Sequence, residues 1–195
     1  MFVVTGGPGS GKTTLINALH DRGVVSMPEA GRAIIRDQVQ IGGTALPWAD
    51  RAMFAELMLG WELRSWHEAS AVERPVLMDR GVPDVVGYLT LCGLPIPAHV
   101  EAAANTYRYN RKVFIAPYWD DIFGQDAERK QDKEEAEETG MVMAETYARF
   151  GYRLVELPRL PVERRVQFVL EHLNVNRHPN GPPDRRPKVT PVARG

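Results

Sequence analysis

The chain begins Met1-Phe2-Val3-Val4-Thr5-Gly6-Gly7-Pro8-Gly9-Ser10-Gly11-Lys12-Thr13-Thr14. An apolar, β-branched run breaks into a glycine-rich loop that closes on Gly11-Lys12-Thr13. Leu15, Ile16, Ala18 and Leu19 follow at helical spacing. Strand, loop and helix in that order, with G-x-x-x-x-G-K-[ST] running from Gly6 to Thr13, make a phosphate-binding loop. A triphosphate is compact and highly charged, so holding it takes many N–H donors aimed at one point. Glycines at 6, 7, 9 and 11 remove the side chains that would block that approach. The helix entered at Gly11 adds its N-terminal N–H groups and the positive end of its dipole. The expected ATP-binding residues are Gly7, Pro8, Gly9, Ser10, Gly11, Lys12, Thr13 and Thr14. Lys12 is expected to reach the outer phosphate oxygens, and the Thr13 hydroxyl to ligate Mg2+.

Beyond the loop, strand and helix patterns alternate. Val24–Met27 reads as a second strand. Pro28 and Glu29 start a helix that Gly42-Gly43 ends. Pro47–Arg74 reads as one long helix, because Phe54, Leu57, Met58, Trp61 and Leu63 recur at helical spacing. Pro75–Asp79 is a third strand of buried type. Helices over Asp84–Leu91 and Ala98–Tyr109 lead to a fourth strand, Lys112–Ala116. A charged helix over Lys133–Phe150, a fifth strand over Arg153–Leu157 and a last helix over Val162–Leu173 complete the order. This alternation predicts an α/β fold in which a parallel sheet is covered on both faces.

The bulk properties fit one such domain. A length of 195 residues with 44% hydrophobic content supports one real core. The net charge of −1 gives no bias toward nucleic acid or membrane, and no apolar run approaches a membrane span. Cys92, the single cysteine, rules out an internal disulfide and fits a reducing cytoplasm. The first strand starts at residue 2, so no leader segment is expected before it. The five histidines show no metal-ligand spacing. We expect a domain over residues 1–173 and a flexible tail over 174–195. That tail holds five prolines and more Arg and Lys than acid.

In a sheet of this kind, ligands sit at the carboxyl ends of the strands. The second strand delivers Pro28-Glu29-Ala30-Gly31-Arg32. The third delivers Asp79-Arg80-Gly81-Val82-Pro83-Asp84. Asp79 follows an apolar run, where a carboxylate holds magnesium or accepts a proton from an attacking hydroxyl. Arg80 is placed to clamp an acceptor or to steady charge on a transferring phosphoryl group. Glu29 has two readings, a stabilising acid in a first helical turn or a general base. Arg32 lies on nearly the same helix face and is placed to pair with Glu29 or to reach substrate. Asp120–Glu138 carries nine acids against three bases, most of them suited to a solvated face. Arg129 and Lys130 stand out there as cations for a lid that closes over the phosphates. The expected catalytic set is therefore Lys12, Glu29, Asp79, Arg80 and Arg129, and the expected metal ligands are Thr13 and Asp79.

These stretches occur together, with Asp126-x-x-Arg129 and Gly151-Tyr152-Arg153-Leu154-Val155-Glu156-Leu157-Pro158. The combination resembles the small bacterial AAA-type P-loop ATPase and kinase family related to nicotinamide riboside kinases and nucleoside kinases. The resemblance covers about residues 1–173. It implies a three-layer P-loop NTPase fold, a five-stranded sheet in the order 2-3-1-4-5, and binding of ATP with Mg2+. In nucleoside kinases an acid after the second strand acts as base and an acid–Arg pair follows the third. Glu29 and Asp79-Arg80 match those positions. Gly81 departs from the pattern, since many nucleoside kinases carry serine there.

Two functions follow as expectations. The first is a kinase that transfers the ATP γ-phosphoryl group to a hydroxyl of a small, nucleoside-like acceptor. The second is an ATPase or nucleotide-dependent regulator that acts through protein partners. A guanine-specific switch is disfavoured, because no Asn/Thr-Lys-x-Asp motif follows the fourth strand. The sequence leaves open the acceptor, the choice of base between Glu29 and Asp79, and the oligomeric state, a homodimer included.

Overall fold

The computed structural model describes residues 1–120 and 133–174. Within them, β1 (Phe2–Gly6) leads to α1 (Lys12–His20), β2 (Val25–Met27), α2 (Ala30–Ile41) and α3 (Arg51–Ser70). Then come β3 (Val76–Asp79), α4 (Val82–Leu91), α5 (Ala98–Thr106) and β4 (Lys112–Ala116). The described chain ends with α6 (Lys133–Arg149), β5 (Arg153–Glu156) and α7 (Val162–Asn174). The five strands form one parallel sheet in the order β2-β3-β1-β4-β5, the order implied by the resemblance.

The layers follow from alternation along buried strands. Successive side chains point to opposite faces, so both faces of a covered strand must be apolar. Phe2, Val4, Leu77 and Phe114 point to a core shared with Leu15, Ile16 and Leu19 of α1 and Val166, Val169 and Leu173 of α7. Val3, Val76, Met78 and Val113 point to the other core, built with α2, α3, α4, α5 and the end of α6. Each fully buried side chain of this size contributes about 1.5–3 kcal/mol.

The largest departures from the sequence reading are at the two ends of the long helix, while α4 starts two residues early, at Val82, and α5 stops three residues early, at Thr106. The long helix begins at Arg51 rather than Pro47, because the Asp50 carboxylate accepts a hydrogen bond from the Met53 N–H at 2.9 Å and caps it there. It ends at Ser70, four residues early, with Ala71 as its C-cap. At α2 the expected stop holds: Gly42 adopts φ 68°, a left-handed C-cap. The last helix reaches Asn174, one residue past the expected domain boundary. The expected tail beyond it, and the expected lid cations Arg129 and Lys130, lie outside the described residues. Among the described residues no helix is long and apolar enough to cross a membrane.

Candidate active site

The loop after β1 is held together by its own lysine. Lys12 Nζ donates to the carbonyls of Gly6 and Gly7 at 3.0 and 2.7 Å and to Ser10 Oγ at 3.2 Å. Ser10 Oγ donates to the Gly7 carbonyl at 2.8 Å. Gly9 and Gly11 adopt φ 74° and 71°, left-handed geometry that side chains resist. Gly7 is needed for space: a Cβ there would strike the Ala136 carbonyl of α6. Thr13 and Thr14 are exposed on the first turn of α1.

Behind the loop lies Arg165 of α7, only 4% exposed, donating from Nη2 to the Ser10 carbonyl at 3.1 Å. Its Nε has no partner, and burial pushes its pKa down. Nothing in the sequence marks this arginine, which sits in an ordinary amphipathic helix.

The ends of β2 and β3 converge on Arg80. Its φ is 75°, a left-handed conformation that costs a non-glycine residue about 1–2 kcal/mol. Three contacts hold it there. Its N–H donates to the Val4 carbonyl at 3.0 Å. Nε donates to Glu29 Oε1 at 3.1 Å, and Nη1 to Asp84 Oδ1 at 3.0 Å. Burial would lower the Arg80 pKa, but Glu29, Asp84 and Asp79 together push it above its ordinary value.

Asp84 is the hub that sequence reading missed. Besides Arg80, it accepts from Thr5 Oγ1 at 2.5 Å, the Gly81 N–H at 3.0 Å and Tyr147 Oη at 2.6 Å. An acid three residues after a helix N-cap commonly reaches back to the cap N–H, and that was the readable part. The links to β1 and α6 were not readable. Gly81 has its own cause. Its backbone is extended, but a Cβ would lie 2.9 Å from the Tyr109 ring, whose hydroxyl accepts from the Val82 N–H at 3.1 Å. Tyr109 fills the room a serine would use.

Lys12, Glu29, Asp79 and Arg80 are thus brought together, close enough to shift one another's proton affinities. Burial and Arg80 lower Lys12 to about 7, against the opposing pull of Asp79, Glu29 and Asp84. Burial and Glu29 raise Asp79 to about 6, against Arg80 and Lys12. Burial pushes Glu29 up, but Arg80, Lys12 and Arg32 outweigh it and leave its carboxyl below the ordinary value. Arg32 itself is exposed on α2, and Glu29 forms its ion pair with Arg80 instead.

The two acids differ in access. The Glu29 side chain is 25% exposed, whereas Asp79 is 8% exposed and its Oδ1 is buried with no hydrogen-bond partner. A buried, orphaned carboxylate oxygen facing the phosphate loop suits a hard cation. Among the described residues no group of three or more His, Cys, Asp or Glu side chains could hold a metal alone. The expected ligands of a Mg2+, Thr13 and Asp79, would need phosphate oxygens and water beside them, since this ion takes an octahedral shell.

On the far side of the loop, Arg159 Nε donates to the Tyr118 carbonyl at 3.2 Å and ties the turn after β5 to the turn after β4.

Residues 1–165 match the family model described as "AAA domain". No curated protein matches the chain. Among solved structures, a deoxyadenosine kinase from M. mycoides with the products dCMP and a flexible dCDP is similar, with TM-score 0.64 and 12% identity over 89% of this chain and 98% of that one. The dATP-bound structure of deoxyadenosine kinase from M. mycoides gives 0.58 and 14% over 89% and 98%. A shikimate kinase from Acinetobacter baumannii in complex with shikimate gives 0.52 and 15% over 90% and 93%. At these identities the likeness establishes a shared P-loop kinase fold.

Proposed function

The chain belongs to the AAA-domain family whose model spans residues 1–165, and from that premise we propose that it is an ATP-dependent phosphotransferase. It moves the γ-phosphoryl group of ATP to a hydroxyl of a small, nucleoside-like acceptor. One observation carries this reading: Arg80, strained and held by Glu29 and Asp84, stands beside the phosphate-loop lysine at the sheet edge.

Each residue then has a part. The glycine-loop N–H groups and the N-terminus of α1 cradle the phosphates. Lys12 turns from the loop carbonyls to the outer phosphate oxygens. Thr13 and Asp79 would hold Mg2+, which would supply positive charge against that developing on the phosphates. Glu29 is the base, because its half-buried carboxylate is more open to an acceptor than the enclosed Asp79. It orients the hydroxyl and takes its proton as the new P–O bond forms and the bond to ADP breaks. Arg80 steadies the transferring group while fixing Glu29, and Arg129, the expected lid arginine, would add a second cation.

The test is ADP release from Mg–ATP with a panel of nucleosides, sugars and amino-alcohols. We expect one acceptor class to raise release strongly, and Lys12→Ala to lower that rate by about 100-fold or more. Glu29→Gln is expected to lower kcat by about 10²–10⁴-fold while leaving ATP affinity within a few-fold.

A second reading, a nucleotide-dependent regulator, has one feature in its favour. Val39, Ile41, Trp48, Met53 and Leu57 are exposed along α2, the loop after it and the start of α3, and such side chains suit a protein partner. Slow hydrolysis that no acceptor accelerates would favour this reading over the kinase.

A further inference from the structure

Glu62 lies in the middle of α3, among Ala55, Met58, Leu59, Ser65 and Ala69, all buried. Three- and four-residue spacing places it on the face that packs against the sheet and α4. Helical periodicity asks for an apolar residue there, yet the position holds an acid that is only 3% exposed. Burying a polar group without a partner costs free energy. No donor among the described residues forms a hydrogen bond with Glu62.

Asp84 makes the contrast plain. It is equally buried and accepts from Thr5, Arg80, Gly81 and Tyr147. The fold thus satisfies one buried acid with four protein donors and gives the other none. The unsatisfied one is not remote, since its charged neighbours are Asp84, Arg80, Asp79 and Glu29, the group at the strand ends. Glu62 therefore approaches the candidate site from α3.

We infer that Glu62 is a specificity-determining residue that hydrogen-bonds an uncharged amide- or amidine-type edge of the acceptor, where a ring nitrogen or carbonyl lies beside an N–H. The inference rests on the phosphotransferase reading and names the group its acceptor must carry. Such an edge offers one donor and one acceptor side by side, and a neutral carboxyl presents the complementary pair. Burial, and after it the charge of Asp84, push the Glu62 carboxyl well above the usual range and favour that neutral form. A bare sugar or polyol lacks the flat paired edge.

The experiment combines calorimetric binding of adenosine, cytidine, uridine, ribose and glucose with ADP release, for the intact chain, Glu62→Gln and Glu62→Leu. Gln keeps a donor and an acceptor in nearly the same shape, and Leu keeps only the bulk. We expect at least one base-bearing nucleoside to bind more tightly than ribose. Glu62→Leu should weaken that binding, and raise the acceptor KM, by about 10- to 100-fold. Glu62→Gln should stay within a few-fold of the intact chain. Thermal unfolding and ATP affinity should be preserved in both, since neither change breaks a hydrogen bond from a protein donor.

Three results would overturn the inference. The first is unchanged nucleoside binding in Glu62→Leu. The second is equal binding of ribose and nucleosides by the intact chain. The third is no binding by any of the five. The two readings fail separately. Glu62-dependent nucleoside binding without acceptor-stimulated ADP release would sink the kinase and keep Glu62. Stimulated release with a KM indifferent to Glu62→Leu would do the reverse.

Discussion

Asp84 draws its four donors from β1, the turn after β3 and α6, so one carboxylate fastens three parts of the fold beneath the phosphate loop. Its neighbour Arg80 depends on it, because a left-handed arginine stays in place only while its guanidinium is held. Asp84→Asn removes the charge and turns an NH2 toward groups that are already donors. Breaking a buried pair in this way costs about 3–5 kcal/mol, and we expect urea denaturation to show a loss of that size. Tyr147→Phe, which removes one donor, should cost only about 0.5–1.5 kcal/mol. Equal effects of the two would mean that Asp84 is not a shared hub. How far these residues could be read in advance follows from their local signals. Lys12 closes a diagnostic loop motif, and Glu29, Asp79 and Arg80 sit at or just past the ends of apolar strands, where position singles them out. Asp84 looked like an ordinary first-turn acid. Glu62 lies inside a long helix whose apolar spacing carries no local sign of a functional acid. Its place in phase with the buried stripe of Ala55, Met58, Leu59 and Ala69 is the one signal the sequence carries.

Glycine separates the contacts among elements that are tight from those that are loose. Gly7 abuts the backbone of α6 at Ala136, and backbone cannot swing aside. Gly60, inside α3, has nothing within 4 Å of where its Cβ would be. Gly7→Ala should therefore destabilise by about 1–3 kcal/mol through overpacking and weaken ATP binding by displacing the loop. Gly60→Ala should stabilise by about 0.5–1 kcal/mol, because alanine loses less entropy in a helix. Paired denaturation curves check both signs, and two neutral outcomes would show that α6 does not support the loop. The strands were legible because they are short, apolar and bounded by proline, glycine or charge. The start of α3 was not. Apolar and polar residues continue without a break from Pro47, and only the capping bond from Met53 to Asp50 fixes the first turn. The stop at Gly42 was legible, since a left-handed cap calls for that residue.

A fully parallel sheet brings every strand's carboxyl end to one edge, and this chain places its loop lysine, two acids and Arg80 there. The layer order was readable from alternation, while the strand order came from the resemblance. The site is also tied to distant parts of the chain, because Arg165 of the last helix braces the loop at Ser10. Ligand binding at the loop should thus stabilise the molecule rather than a local segment. With Mg–ATP at 100 times its Kd, linkage adds about 2.7 kcal/mol. For a chain of this size each kcal/mol moves the midpoint by about 2–4 °C, so Tm should rise by roughly 5–11 °C. Chelating the metal with EDTA should shrink the shift, because Thr13 and Asp79 would then contribute little to holding the phosphates. Lys12→Ala should nearly abolish it without lowering the ligand-free Tm by a comparable amount, since the lysine's own contacts lie within the loop. Differential scanning fluorimetry over a titration of Mg–ATP measures all three. A shift that survives in Lys12→Ala would place nucleotide binding elsewhere on the molecule and remove the basis of the proposed reaction.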